Sequence, residues 1–294
     1  MKIATAAASG MCFGVRDALQ ALSAIEEPRS VAIYGELVHN DVVLHQLDVR
    51  GFQQIGETRR DDLPDASDII VTAHGISQRP RQQFIDAGKT LIDTTCPLVT
   101  RVHRAAQELA ASGAFVVIIG RSGHVEVEGI VGDLDSFVVV ASIADVERYP
   151  AMRIGVICQT TFPCDEAAAI RSRIVECNPG TEIQWVDTIC QPTKDRQQAL
   201  NELCDEVETV VVVGGRHSHN TQRLVDSCGK RGLAVFHVQD ASELTPEWFD
   251  GVETVGVTAG TSTLPETLEQ VVDRLREISQ TKYTGKTVEL VAMT

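Results

Sequence analysis

Asp93-Thr94-Thr95-Cys96-Pro97 and Asp187-Thr188-Ile189-Cys190-Gln191 carry one pattern, Asp-Thr-x-Cys, twice at a separation of 94 residues. The stretch Ile3-Ala4-Thr5, leading through Ser9-Gly10-Met11 to Cys12, supplies a third member 84 residues before Cys96. It is displaced to the start of the chain, as a circularly permuted repeat requires. Other loops keep a similar period. Leu37-Val38-His39-Asn40, Ser122-Gly123-His124 and His217-Ser218-His219-Asn220 set His39, His124 and His219 at intervals of 85 and 95. Thr72-Ala73-His74, Gln159-Thr160-Thr161 and Gly260-Thr261-Ser262 form a further set, with His74 and Thr160 86 residues apart. Self-similarity at a fixed, domain-sized spacing is the mark of a repeated structural unit.

The short apolar runs at 31–34, 68–71, 115–119, 154–157, 210–213 and 255–257 are rich in β-branched residues and separated by amphipathic stretches. Such runs read as buried parallel strands in βαβ units. The predicted class is therefore α/β, with three pseudo-threefold related α/β units forming a trefoil. The units are placed at 13–96, 97–192 and 193–281, the last completed by strand 1–12, with 282–294 as a tail. Ligands of parallel sheets gather at the carboxyl ends of strands. Three such units would bring their loops to one central, cluster-binding cavity.

The chain has 294 residues, 43% of them hydrophobic, and a formal charge of -15 from 26 Lys plus Arg against 41 Asp plus Glu. That charge repels phosphate backbones and anionic membranes, which argues against nucleic-acid and membrane partners. A small anion can still bind in a local pocket of His, Ser and backbone N–H groups. Ser9-Gly10 and Arg16-Asp17 make the N-terminus a poor signal peptide, and no stretch reaches the ~20 apolar residues of a membrane span. A cytoplasmic setting is expected, where the eight cysteines serve metal, catalysis or packing rather than disulfides.

Three thiolates in register suit zinc or an iron–sulfur cluster, both of which take soft sulfur ligands. Structural zinc usually takes closely spaced cysteine pairs, and no Cys-x-x-Cys occurs here. Cysteines from separate units can surround a larger cluster and leave one iron open to substrate. The pattern favours the cluster, with zinc as the alternative. Cys158 lies inside a strand, and Cys164, Cys177, Cys204 and Cys228 have no repeat partner, so all five are expected to be structural thiols. His39, His74 and His124 stand at strand ends beside Gly, Asn or Ser, the setting of anion-binding loops. His45, His103 and His237 are out of register. Glu126 alternates with valines and shares the side of His124 if 124–129 is extended. Burial there would raise its pKa and make it a proton donor, whereas a solvated carboxylate would not act so.

Taken in order, Gly10-Met11-Cys12-Phe13-Gly14-Val15, Leu37-Val38-His39-Asn40, Ala73-His74-Gly75, Thr95-Cys96-Pro97-Leu98-Val99-Thr100, Gly123-His124-Val125-Glu126-Val127-Glu128-Gly129, Gln159-Thr160-Thr161 and Ile189-Cys190 with Arg196-Gln197 resemble one family over nearly the whole chain. It is the 4-hydroxy-3-methylbut-2-enyl diphosphate reductases of the methylerythritol phosphate route to isoprenoids. The resemblance implies a trefoil around one 4Fe-4S cluster held by Cys12, Cys96 and Cys190. It implies two-electron removal of an allylic hydroxyl as water, giving isopentenyl and dimethylallyl diphosphate. His39, His74, His124, Ser218, Asn220 and Ser262 would hold the diphosphate, with His219 able to donate beside them. Thr160 would orient the hydroxyl and Glu126 supply protons. No flavin or nicotinamide fingerprint appears, so an external donor such as ferredoxin or flavodoxin is implied. Departures from the family pattern are Val125, Pro192, His217, His219, Thr261 and Leu264. They keep a divergent paralogue with another phosphorylated substrate among the readings, beside a cluster-bearing sensor and a metal-dependent phosphatase.

Overall fold

The computed structural model describes residues 1–38, 40–56, 60 and 63–291, with side chains described as far as residue 281. Twelve strands among them form three four-stranded sheets, and every strand pairing is parallel. The first sheet runs β1 (Lys2–Thr5), β12 (Thr254–Ala259), β10 (Thr209–Val213), β11 (Ala234–Val238). The second runs β5 (Thr90–Asp93), β4 (Asp68–Val71), β2 (Val31–Tyr34), β3 (Gln53–Ile55). The third runs β9 (Glu182–Trp185), β8 (Arg153–Cys158), β6 (Phe115–Ile119), β7 (Phe137–Val140). Read from the same side, the three orders are one pattern: the strand leading to a cysteine at one edge, next to it the strand followed by Thr72, Gln159 or Gly260, and then the strand before a helix-capping loop.

All six predicted runs are the inner strands of these sheets. Their apolar continuity follows from cover on both faces. In the third sheet, Val116, Ile118 and Ile157 pack with Val102, Ala106 and Leu109 of α4 (Pro97–Ala111). Val117, Ile154, Val156 and Cys158 pack on the other face with Ile170 and Ile174 of α6 (Cys164–Cys177). Fully burying each such side chain is worth about 1.5–3 kcal/mol. Gly155 of β8 allows the close approach of α4, because a Cβ there would lie 2.8 Å from Leu109 Cδ2. In the first sheet, Val210 and Val212 face Ala199, Leu200 and Leu203 of α7 (Gln191–Glu206). Val211, Val213, Val255 and Val257 face Val271, Leu275 and Ile278 of α9 (Pro265–Val291).

The chain divides into two compact units. One comprises Phe13–Leu37 and Leu44–Lys194 and carries the second and third sheets; the other comprises Met1–Cys12, Val38–Val43 and the chain from Asp195 on, and carries the first. The remaining helices are α1 (Phe13–Ser23), α2 (Asp41–Arg50), α3 (Gln78–Asp86), α5 (Val125–Val131) and α8 (His219–Lys230). No described helix is long and apolar enough to cross a membrane.

Candidate active site

Each of the three cysteines in register is the residue immediately before a helix: Cys12 before α1, Cys96 before α4 and Cys190 before α7. Each also donates its backbone N–H to the loop after the neighbouring strand. Cys12 N reaches Thr261 O at 3.3 Å, Cys96 N reaches Ala73 O at 3.1 Å, and Cys190 N reaches Thr160 O at 3.0 Å. The three acceptors belong to the loops that carry Ser262, His74 and Thr160. One backbone contact, made three times, thus ties every candidate ligand to a candidate substrate loop. Gly14, in the first turn of α1, leaves space beside Cys96: a Cβ there would lie 2.8 Å from Cys96 Sγ.

In the unit of Phe13–Leu37 and Leu44–Lys194, four of the predicted residues cluster in two pairs. The rings of His74 and His124 meet edge to face with centroids 6.0 Å apart. Glu126 is 1% exposed and accepts from Thr160 N at 2.6 Å and Thr160 Oγ1 at 2.7 Å. Desolvation outweighs these two hydrogen bonds and pushes the Glu126 carboxyl up from 4.5 to about 7. Residues 125–131 are helical, so the condition that 124–129 be extended is not met. Gly123 (φ +78) turns the chain and His124 caps the helix, its Nδ1 accepting from Glu126 N at 3.2 Å. Val125, Glu126, Val127, Gly129 and Ile130 are all buried, so the alternation of Val and Glu did not mark two faces of a strand. Glu126 nonetheless lies beside His124, through the cap rather than through a shared strand face. With Nδ1 accepting, a neutral His124 carries its proton on Nε2, a donor suited to an anion.

A cavity of about 170 Å³ reaches Cys190 and is lined by Leu98, Arg101, Thr188, Gln191 and the Asp187–Lys194 ion pair. A larger groove, about 710 Å³, lies at the amino ends of β6, β8 and β9, the opposite end from the site loops, among Ala114, Arg153 and Glu182.

In the other unit, Ser218 caps α8, its Oγ accepting from Thr221 N at 3.3 Å. Ser218 therefore takes the position of His124, and the spacing between these caps is 94 residues, equal to that of Cys96 and Cys190. The alignment of His219 with His124 is corrected by one residue: His219 is the first residue of α8. Asn220 Oδ1 accepts from Thr261 N at 2.9 Å, which commits its oxygen to the loop and leaves its amide N–H groups as the donors for an anion. Ser218 and Ser262 are 2% and 5% exposed, buried hydroxyls at strand ends. His39 lies outside the described residues.

The structure explains three departures from the family pattern. Val125 is the first residue of α5, a position where proline is favoured but not required. Pro192 lies in the first turn of α7, where its missing N–H has no intrahelical acceptor to lose. Thr261 contributes backbone N–H and C=O, so its side chain is free to vary. Nothing in the structure accounts for Leu264. Among the other thiols, Cys158, Cys204 and Cys228 are buried, as expected, while Cys164 and Cys177 are partly exposed. Burial pushes the Cys158 and Cys228 thiols up to about 12.

Comparison with known proteins places these motifs. The family model described as LytB protein matches residues 3–276. A curated 4-hydroxy-3-methylbut-2-enyl diphosphate reductase of Geobacter metallireducens is 35% identical over 289 residues, covering 96% of this chain and 99% of the relative. One from Shewanella pealeana is 36% identical over 293 residues, 97% of this chain and 94% of the relative. The solved structure of the E-1-hydroxy-2-methyl-but-2-enyl-4-diphosphate reductase from Plasmodium falciparum superposes with a TM-score of 0.83 at 27% identity, over 92% of this chain and 87% of that one. With the three-sheet pattern, the cysteine positions and these likenesses together, the chain belongs to the LytB family.

Proposed function

We infer that the chain reduces 4-hydroxy-3-methylbut-2-enyl diphosphate, replacing the allylic C–O bond by C–H with two electrons and two protons and releasing water. The products are isopentenyl and dimethylallyl diphosphate, which differ in the carbon that takes the new proton. The observation that carries this reading is the buried Glu126–Thr160 pair on the loop that also anchors Cys190. A reductive dehydroxylation needs a proton for the departing oxygen, and a carboxyl titrating at about 7 holds one at neutral pH. Thr160, donating to Glu126, can accept from the substrate hydroxyl and orient it. His74, His124, Ser218, Asn220 and Ser262, with His39 and His219, are proposed to hold the diphosphate, whose charge requires several preorganised donors.

The LytB family is one of iron–sulfur enzymes. The residues fit such a group: three cysteines outside any disulfide, each before a helix of at least 11 residues, and a glycine that leaves space at Cys96 Sγ. Cys12, Cys96 and Cys190 are proposed to hold one 4Fe-4S cluster, which when bound supplies electrons and a Lewis-acidic iron. An external redox protein such as ferredoxin or flavodoxin is proposed as the electron source. The curated relatives give the phosphatase and sensor readings no support.

Anaerobic holoenzyme with reduced viologen and the allylic alcohol diphosphate should yield both isoprenoid diphosphates. Release of inorganic phosphate without them would overturn the assignment.

A further inference from the structure

Asn40 occupies a junction in the unit that carries the first sheet. Its side chain is buried and uses both ends. Oδ1 accepts from Val42 N at 3.0 Å and Val43 N at 3.3 Å, capping α2. Nδ2 donates to Ser262 O at 2.8 Å, across 222 residues of sequence. One residue earlier, Thr261 N donates to Asn220 Oδ1 and Thr261 O accepts from Cys12 N. The Thr261–Ser262 backbone is therefore gripped from two sides by asparagines of opposite polarity, one accepting and one donating. Serine, threonine, aspartate or asparagine could cap α2 equally well. Of these only asparagine pairs its capping oxygen with a separate donor atom, so the cap alone does not explain the residue. Ser262 O is an acceptor in a buried loop, and its loss of a partner costs more than the bond itself contributes.

We propose that Asn40 is a positioning residue for the diphosphate: by holding the Ser262 carbonyl it fixes where the Ser262 hydroxyl points, and it joins the start of α2 to that hydroxyl. The proposal rests on the reading of Ser262 as a diphosphate donor. Asn40 itself touches no reacting atom.

The test is a double-mutant cycle of Asn40→Ser and Ser262→Ala in anaerobic holoenzyme, reading KM and kcat for the allylic diphosphate and the affinity for inorganic diphosphate. Serine keeps a capping oxygen and adds no charge, but it is too short to reach Ser262 O. Each single variant should weaken diphosphate binding about tenfold, the lower range for losing one hydrogen bond to a charged group. Values of kcat should stay within about threefold, since the proton donor is elsewhere. The double variant should bind no worse than Ser262→Ala alone, because both changes act through one hydroxyl. If Ser262→Ala weakens binding and Asn40→Ser does not, or if the two effects multiply, Asn40 does not act through Ser262. A silent Ser262→Ala would instead remove Ser262 from the anion site and the proposal with it.

Discussion

Replacing Glu126 by Gln separates burial from chemistry at the proton-donating position. Gln preserves the geometry: its Oε1 can still accept from Thr160 N, and the Thr160 hydroxyl can turn to accept from Nε2. What it removes is an ionisable group in a desolvated place. In the unfolded chain the carboxyl titrates near 4.5, in the folded protein at about 7. A carboxyl raised on folding contributes stability that is full below 4.5 and is lost as pH rises toward 7. The full difference corresponds to about 3 kcal/mol, and most of it falls between pH 5 and 8. At about 2 °C per kcal/mol for a chain of this size, Glu126→Gln should gain roughly 5 °C in Tm relative to the parent between those two pH values. Thermal unfolding of the anaerobic holoenzymes at both pH values reads this directly. The same variant should turn over at least ~10²-fold more slowly. Parent kcat should fall above pH 7 as the proton is lost, and the variant should lack that limb. Glu128→Gln is the control, since Glu128 lies on an exposed helix position and its carboxylate accepts from Gly123 N at 2.9 Å. Parallel Tm curves for parent and Glu126→Gln, with normal turnover, would refute the buried-donor reasoning; loss of activity in Glu128→Gln alone would move the role two residues along.

His74→Ala or Asn220→Ala should weaken diphosphate binding by roughly 1.5–3 kcal/mol while the visible spectrum persists; isothermal titration with inorganic diphosphate measures it. Gly14→Ala would place a Cβ 2.8 Å from Cys96 Sγ, so the variant should lose iron to a chelator faster than the parent, followed by absorbance decay. Cys204 and Cys228, with sulfurs 3.7 Å apart and thiols pushed up by burial, should resist thiol reagents in the folded protein and react only on unfolding.

The sequence displays the inner strands plainly because parallel strands covered on both faces must be apolar throughout. It does not display β3, β7 and β11, none of which is among the predicted runs: β3 is the three-residue Gln53–Ile55, and β11 alternates with His237 on an edge. The cysteine register is legible because each cysteine performs one local task, ending a strand loop and starting a helix. Matching histidine to histidine sets His219 one residue out of register, because the position shared by the two loops is that of a capping acceptor, which Ser218 fills as well as His124. The nearness of Glu126 to His124 comes from helix capping and not from the strand alternation that the Val-Glu pattern suggests. The contact of Asn40 is not legible in the sequence, since the carbonyl that accepts from its Nδ2 lies 222 residues away.

Iron and sulfide analysis of protein purified without oxygen tests the central claim most directly, with Cys12→Ser, Cys96→Ser and Cys190→Ser measured beside Cys158→Ser. Close to four irons and four sulfides per chain are expected in the parent and in Cys158→Ser, with most of both lost from each of the other three variants. Stoichiometric zinc without visible absorption, or full iron content after removal of any one of Cys12, Cys96 and Cys190, would contradict a single cluster held by these three thiolates.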